Sequence, residues 1–263
     1  MTETTSEEDR TARTHAHPTE AELRRELAAV YRLVDHFGMT DLINTHISAR
    51  LPGPEPRFLL NPYGLRFDEV TASSLVVVDL EGRIVVPTPY VVNPAGFVIH
   101  SAIHRARPDA HSILHTHSRA GCAVAALEDG LLPVNQMSMA FYGRTSYHDY
   151  EGIALNTDEQ RRLVANLGSN DTLVLRNHGL LQIGPRPRAA FQMMLVLEKA
   201  CQMQVDAMAA GALRLPSREV AEYTARQWRG EGLSDHQMPE ETGELQWQAL
   251  LRLVEKHHAD YAD

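Results

Sequence analysis

The sequence predicts an α/β fold in which helices pack on a mixed or antiparallel sheet. Short β-branched or apolar runs are closed by tight-turn residues. Apolar residues recur at helical spacing between some of those runs. No strand is followed by a Gly-rich phosphate loop of Rossmann or Walker type. At 263 residues and 43% apolar content, the chain can bury one large core. Its expected organisation is a disordered N-terminal tail over 1–18, a domain over 19–215, and a C-terminal appendage over 216–263 packing on that domain.

The tail follows from polar, charged residues without apolar periodicity. Thr19 then precedes Leu23, Leu27, Val30, Tyr31 and Val34, a helical spacing. Glu22 completes a capping box with Thr19, and Gly38 stops the helix. Ile47, Ala49 and Leu51 alternate with polar residues, as in a strand. Phe58-Leu59-Leu60 is stopped by Asn61-Pro62-Tyr63-Gly64. Leu75 to Val78 is strand-like, and Glu81-Gly82 reads as a hairpin turn into Ile84-Val85-Val86. A helix over Ala95 to Ala106 ends before Pro108. Ser112 to His117 reads as a buried strand, followed by a small-residue helix over Ala120 to Leu127. Leu173-Val174-Leu175 is a second buried strand, and Leu180 to Ile183 its hairpin-like return. Ala189 to Ala210 is a long helix, apolar all round, which implies heavy burial in the domain or in an oligomer interface. Pro216 to Glu244 is polar, and a terminal helix follows it.

Composition narrows the function. Net charge is −9 without a Lys/Arg-rich block, which argues against a nucleic-acid or anionic-membrane partner. No apolar stretch is long enough to span a bilayer and the N-terminus is polar, so a cytoplasmic protein is expected. Cys122 and Cys201 sit far apart in apolar contexts and read as small buried hydrophobes.

Histidine is the outlier, with 14 copies. His15, His17, His257 and His258 lie near the ends and are expected in solvent. Eight of the other ten fall from His46 to His178. On a strand His115 and His117 share a face, so both imidazoles can converge on one ion. His178 ends the second apolar strand beside Gly179, where a missing side chain permits close backbone approach. Three imidazoles and an open position make a catalytic metal arrangement. Spacing alone leaves open that the three satisfy core hydrogen bonds or lie on the surface.

Ile113-Leu114-His115-Thr116-His117-Ser118, followed about sixty residues later by Arg176-Asn177-His178-Gly179, resembles the class II aldolase/adducin family. The match runs from about Glu22 to Gly211. It includes Asn61-Pro62-Tyr63-Gly64, Val70 to Leu75, Ala95 to His100, Arg107-Pro108-Asp109 and His148 to Gly152. The resemblance implies a three-layer αβα domain with a mostly antiparallel central sheet, often assembled as a ring-shaped homotetramer. It implies one divalent metal per chain on His115, His117 and His178. Zinc is the expected ion, with Fe2+, Mn2+ or Co2+ as alternatives.

Two departures separate this chain from the family's sugar-phosphate aldolases. Their Ser-Ser-Glu before the helix, which supplies the acid/base carboxylate, is Pro94-Ala95-Gly96 here. Their phosphate-cradling Gly-Asn is Thr45-His46. Both losses point to a small non-phosphorylated substrate and an adducin-like branch.

Metal-assisted C–C cleavage, whether retro-aldol or decarboxylative, needs the enediolate charge stabilised. Decarboxylation tolerates the missing carboxylate better, because no base removes a proton from the substrate. His148, Tyr142, Tyr147 and His46 are candidate proton donors, His46 being the first choice among residues around the metal. A packed loop residue is the alternative role of His148 and of Tyr142. Tyr63, Gly64 and Gly96 are candidate substrate contacts. Arg50, Arg66, Arg119 and Arg144 are candidates for a substrate carboxylate, Arg50 and Arg119 first. His100 is expected to pack near the site and His104 to be structural. A metal-dependent lyase of the aldolase or decarboxylase type is the leading reading. An Fe(II) oxygenase acting on a hydroxy or aromatic acid and a non-catalytic adducin-like module are the alternatives.

Overall fold

Thr19 opens the first helix, α1 (Glu20–His36), by accepting from the Glu22 amide, while the Glu22 carboxylate accepts from the Thr19 amide at 2.8 Å. That reciprocal cap and Gly38 at φ 66° bound the helix as the sequence predicts. The computed structural model describes residues 18–152, 158–232 and 242–263. The expected tail, apart from Pro18, and the 233–241 part of the C-terminal appendage lie outside them.

The strands are β1 (His46–Arg50), β2 (Arg57–Leu60), β3 (Val76–Asp79), β4 (Ser112–Thr116), β5 (Thr145–His148), β6 (Thr172–Leu175) and β7 (Gly179–Gly184). They form one sheet in the order β3-β2-β1-β4-β7-β6-β5, antiparallel except for the β5–β6 pair. The further helices are α2 (Pro94–Ala106), α3 (Arg119–Ala125), α4 (Gln136–Met139), α5 (Glu159–Leu167), α6 (Pro187–Ala210), α7 (Arg218–Trp228) and α8 (Thr242–His257).

Alternation along each strand decides which helices cover which face. Ile47, Leu114, Val174 and Leu180 point to one face and bury against Leu27 of α1, Phe191 and Leu197 of α6, and Trp247 of α8. Ile113, Leu173, Leu181 and Ile183 point to the other, against Ile99 and Ile103 of α2 and Leu163 and Leu167 of α5. Each such side chain contributes about 1.5–3 kcal/mol on burial. Helices on both faces make the predicted three-layer αβα arrangement.

One local expectation needs correction, and two elements show burial that the sequence did not specify. β1 is buried on both faces: Ile47 and Ala49 enter the apolar core, and His46 and Ser48 are also buried, at 4% and 2% exposure. The polar side chains of β1 face α2, where His100 and His104 bond to them. Residues 84–86 do not form a full hairpin strand. Asp79 organises the turn, but only a single bridge, Val78 to Ile84, follows it, and Pro87 supplies no N–H to extend the pairing. Helix α6 is covered by the domain only in part, since Met203 and Met208 on its C-terminal half are each 42% exposed, which leaves the oligomer-interface alternative open.

The end of the sheet where β1 begins is pinned by a single hydroxyl. Tyr31, fully buried in α1, accepts from the Ile47 amide at 3.0 Å and the Asn61 amide at 3.1 Å, and donates to the Ile47 carbonyl. It thereby joins β1 to the Asn61-Pro62-Tyr63-Gly64 turn next to His46. Tyr31→Phe leaves two buried amides without an acceptor and is expected to lower unfolding stability by about 1–3 kcal/mol. Urea denaturation would read this as a lower midpoint with an unchanged slope.

Candidate metal centre

His115 lies near the end of β4, opposite Leu181 of β7 on one side and His46 of β1 on the other. His117 follows just beyond the strand. His178 sits in the turn from β6 to β7, where Asn177 adopts φ 55° and its amide bonds to the Ala125 carbonyl at 3.1 Å. The three side chains each offer one ring nitrogen to a group within 4.8 Å of one another. Their ring centroids are 4.7 to 4.9 Å apart. Gly179 makes this approach possible, because a Cβ there would stand 2.4 Å from the Thr116 carbonyl oxygen and 3.1 Å from the His117 ring.

Hydrogen bonds fix the ring tautomers. The Leu180 carbonyl lies 2.9 Å from His115 Nδ1, and a carboxylate oxygen of Asp41 lies 2.9 Å from His117 Nδ1. Both partners only accept, so each Nδ1 carries a proton, and in the neutral, metal-binding form of each ring Nε2 presents its lone pair. The two Nε2 atoms face each other at 2.9 Å. Two lone pairs at that separation repel unless a cation lies between them. Tetrahedral zinc, with Zn–N bonds of about 2.0–2.1 Å, would hold such nitrogens about 3.3 Å apart. The residues present therefore fit a divalent metal.

Burial holds His115 well below the usual imidazole pKa, reinforced by His46 and His178, and brings His178 down to about 4. Neutral imidazoles at physiological pH are the state a metal requires.

The structure places the other candidates unequally. His46 stands beside His115, ring centroids 5.1 Å apart, and its ring fills the space opposite Gly96. Gly96 is buried in the first turn of α2. Arg119 is exposed in the first turn of α3, two residues past His117. Tyr63 and Gly64 follow β2 at the sheet end where β1 begins, with Tyr63 38% exposed.

Other candidates sit elsewhere. His148 is 3% exposed, with Nε2 3.2 Å from Glu159 and Nδ1 2.9 Å from Asn166. Both nitrogens are engaged with α5, the packed role weighed as its alternative, so it is not positioned as a proton donor. Tyr142 lies just past α4 and neighbours Arg218 of α7. The Tyr147 hydroxyl accepts from the Leu131 amide at 3.1 Å. Arg50 lies at the opposite end of β1 from His46, donates to the His104 carbonyl and covers Phe58. Arg66 pairs with Asp68, and Arg144 lines a surface hollow with Trp228 and Arg229.

Sequence reasoning missed two residues. Asp41 orients His117 from a loop in which Leu42 holds φ 51°, a left-handed conformation unusual for a leucine. Its only sequence signal is an acidic residue after a helix stop. Tyr150, 52% exposed, places its ring 6.3 Å from His178. It stands in a sequence block already matched, two residues after His148.

The buried histidines predict an acid-sensitive fold. Burial holds His100 well below 6.5 and His104 at about 3. Their folded pKa values are depressed, so the unfolded chain takes up protons below pH 6.5 that the folded chain refuses. Stability is then full above the unfolded value and falls as pH drops toward 3. The urea midpoint of metal-free protein is expected to decline between about pH 7 and about pH 5, and a flat profile would contradict it.

Residues 25–205 match the family model described as the class II aldolase and adducin N-terminal domain. A Caulobacter vibrioides protein, provisionally named an aldolase class 2 protein, is 49% identical over 93% of both chains. Rat alpha-adducin is 42% identical over 89% of this chain but only 33% of its own length. An aldolase II superfamily protein from Pseudomonas syringae has a solved structure with a TM-score of 0.87 and 48% identity, covering 96% of this chain and 100% of that one. An L-fuculose 1-phosphate aldolase from Glaciozyma antarctica superposes with a TM-score of 0.78 at 31% identity, over 94% of this chain and 98% of that one. The domain model, the relatives and the shared fold agree: this chain belongs to the class II aldolase and adducin family.

Proposed function

We propose that this chain is a divalent-metal-dependent lyase. It breaks a carbon–carbon bond, by aldol cleavage or decarboxylation, in a small non-phosphorylated hydroxy acid or hydroxy-carbonyl compound. The observation that carries this reading is the facing pair of Nε2 atoms on His115 and His117, each ring having a hydrogen-bond acceptor at its Nδ1 on the far side. A divalent cation bound there supplies Lewis acidity, which stabilises the electron pair released as the bond breaks. Zinc suits three neutral imidazoles best, with Fe2+, Mn2+ and Co2+ as other occupants.

The chain's own residues supply the rest. His115, His117 and His178 hold the ion. Asp41 and the Leu180 carbonyl keep two of those rings turned inward. Exposed Arg119 offers paired N–H donors to a substrate carboxylate beside His117. Tyr150 stands at the rim near His178. No carboxylate is available at Gly96 to take the hydroxyl proton that aldol cleavage must remove, which favours decarboxylation over aldol chemistry. Cytoplasmic location accords with the described helices, none of which is long and apolar enough to cross a membrane. A homo-oligomer, the tetramer first, accords with the exposed methionines of α6. The small-molecule substrate is the only further partner proposed.

The similarity to alpha-adducin favours a second reading, a non-catalytic interaction module. Against it stands the orienting carboxylate on His117, which a scaffold does not need. Elemental analysis of purified protein is expected to find one divalent metal per chain. His117→Ala should abolish both metal retention and metal-dependent turnover of small hydroxy acids. Asp41→Asn should weaken metal binding by about 10–100-fold without unfolding the protein. Metal-free protein as purified, with no uptake on titration, would transfer the assignment to the module.

A further inference from the structure

A continuous line of hydrogen bonds leads from Ala110, just before β4, to His46 beside the metal centre. It begins at His104, whose Nδ1 lies 2.9 Å from the Ala110 carbonyl oxygen. A carbonyl only accepts, so His104 Nδ1 carries the proton and Nε2 a lone pair. Ser48 Oγ lies 2.8 Å from that Nε2 and must donate its single proton there. The same Oγ lies 2.6 Å from His100 Nδ1, so it can only accept from that ring. His100 Nδ1 therefore carries a proton and its Nε2 a lone pair. His46 Nδ1, 2.8 Å from His100 Nε2, is then the donor of the last bond. Each step leaves one assignment for the next, and the line ends on His46 Nε2 as a lone pair.

All the members are buried: His46 at 4%, Ser48 at 2%, His100 at 2% and His104 at 3% exposure. Burial also keeps His100 and His104 neutral, both held below the usual imidazole pKa, so each carries the single proton that its hydrogen bonds assign. Nδ1–H is the less common tautomer of a free imidazole, and three in succession need an external cause. The Ala110 carbonyl supplies it.

His46 borders the metal centre. Its ring lies beside His115, and its Cδ2–Nε2 edge faces Gly96: a Cβ on Gly96 would come within 2.3 Å of Cδ2 and 2.7 Å of Nε2.

We propose that this four-residue relay sets the hydrogen-bond polarity of the site, presenting His46 Nε2 as an acceptor that selects substrates bringing a hydroxyl to that side and rejects those bringing a phosphate. A hydroxyl donates to the lone pair. A phosphate offers only acceptor oxygens and meets a like partner where it needs N–H donors. His46 is thus a specificity-determining residue, and Ser48, His100 and His104 are positioning residues acting through it. The claim about substrates rests on the metal-dependent lyase reading, but the claim about polarity does not.

The test has two arms. Long-range 1H–15N correlation spectra of 15N-labelled, metal-free protein near neutral pH report the protonated nitrogen of each ring. His46, His100 and His104 are expected as Nδ1–H tautomers. In Ser48→Ala, His104 should keep that tautomer through Ala110, while His100 and His46 shift toward a mixture. An Nε2–H signal on any of the three wild-type rings, or a Ser48→Ala spectrum identical to wild type, overturns the relay.

The second arm titrates zinc-loaded protein with glycolate and with 2-phosphoglycolate by calorimetry. Wild type should prefer glycolate, and His46→Phe, which keeps a ring against Gly96 but has no acceptor, should lose that preference by about tenfold, the scale of one hydrogen bond. Ser48→Ala should show a smaller loss in the same direction. An equal preference in all three proteins overturns the selection claim. Failure of zinc to load removes the lyase reading alone, since the tautomer spectra still decide the relay.

Discussion

Two imidazole nitrogens with their lone pairs facing each other at 2.9 Å are an arrangement that a folded chain must enforce from outside. Left free, either ring would turn or carry its proton on Nε2 and bond to its neighbour. The Leu180 carbonyl and the Asp41 carboxylate forbid this by holding both protons on Nδ1. Leu180 can do so because β7 pairs antiparallel with β4, and that pairing closes only if the residue starting β7 has no side chain. Gly179, the β4–β7 register, the ring tautomers and the capacity to hold a cation are consequences of one another.

The same logic links the two places where the chain departs from the sugar-phosphate aldolase pattern. Taken separately, a glycine in place of a carboxylate and a histidine in place of an anion-binding amide read as two losses. In the structure they are one exchange. The His46 ring occupies the volume into which any side chain at position 96 would project. Restoring a carboxylate there would require His46 to leave, and His46 is held by its bond to His100. The departures therefore describe a site rebuilt around a different polar group.

Much of this was legible in the sequence, and the limits have physical causes. Capping signals, turn chemistry and apolar period gave the elements. The i, i+2 spacing and the Gly after His178 gave the triad, because both express local backbone geometry. The residues that orient the rings carry no such local signal: Asp41 is distant in sequence from His117 and meets it only through the sheet. His148 could not be placed from sequence because its partners, Glu159 and Asn166, come from α5 and not from its sequence neighbours. Arg50 failed for a related reason. A strand carries residues from one end of a sheet to the other, and four positions along β1 separate the metal end from the far end. The alternation in β1 was real, yet its polar members were buried, since polar residues on a covered face can be satisfied by one another.

Cost separates the catalytic from the scaffolding reading. Burying neutral histidines against one another gives up their hydration and exposes the fold to acid, as the depressed values of His100 and His104 require. Apolar side chains in the same volume would pack without that penalty, and an interaction module binding through its surface would lose nothing by the replacement. Alpha-adducin shares the family and much of the sequence, but kinship in fold says nothing about whether an interior is kept for chemistry. Here the interior is not only polar but ordered in direction, with every proton from Ala110 to His46 assigned by its neighbour. A direction is useful only to something that meets its end, and the end of this one is the His46 ring, beside His115 and against Gly96.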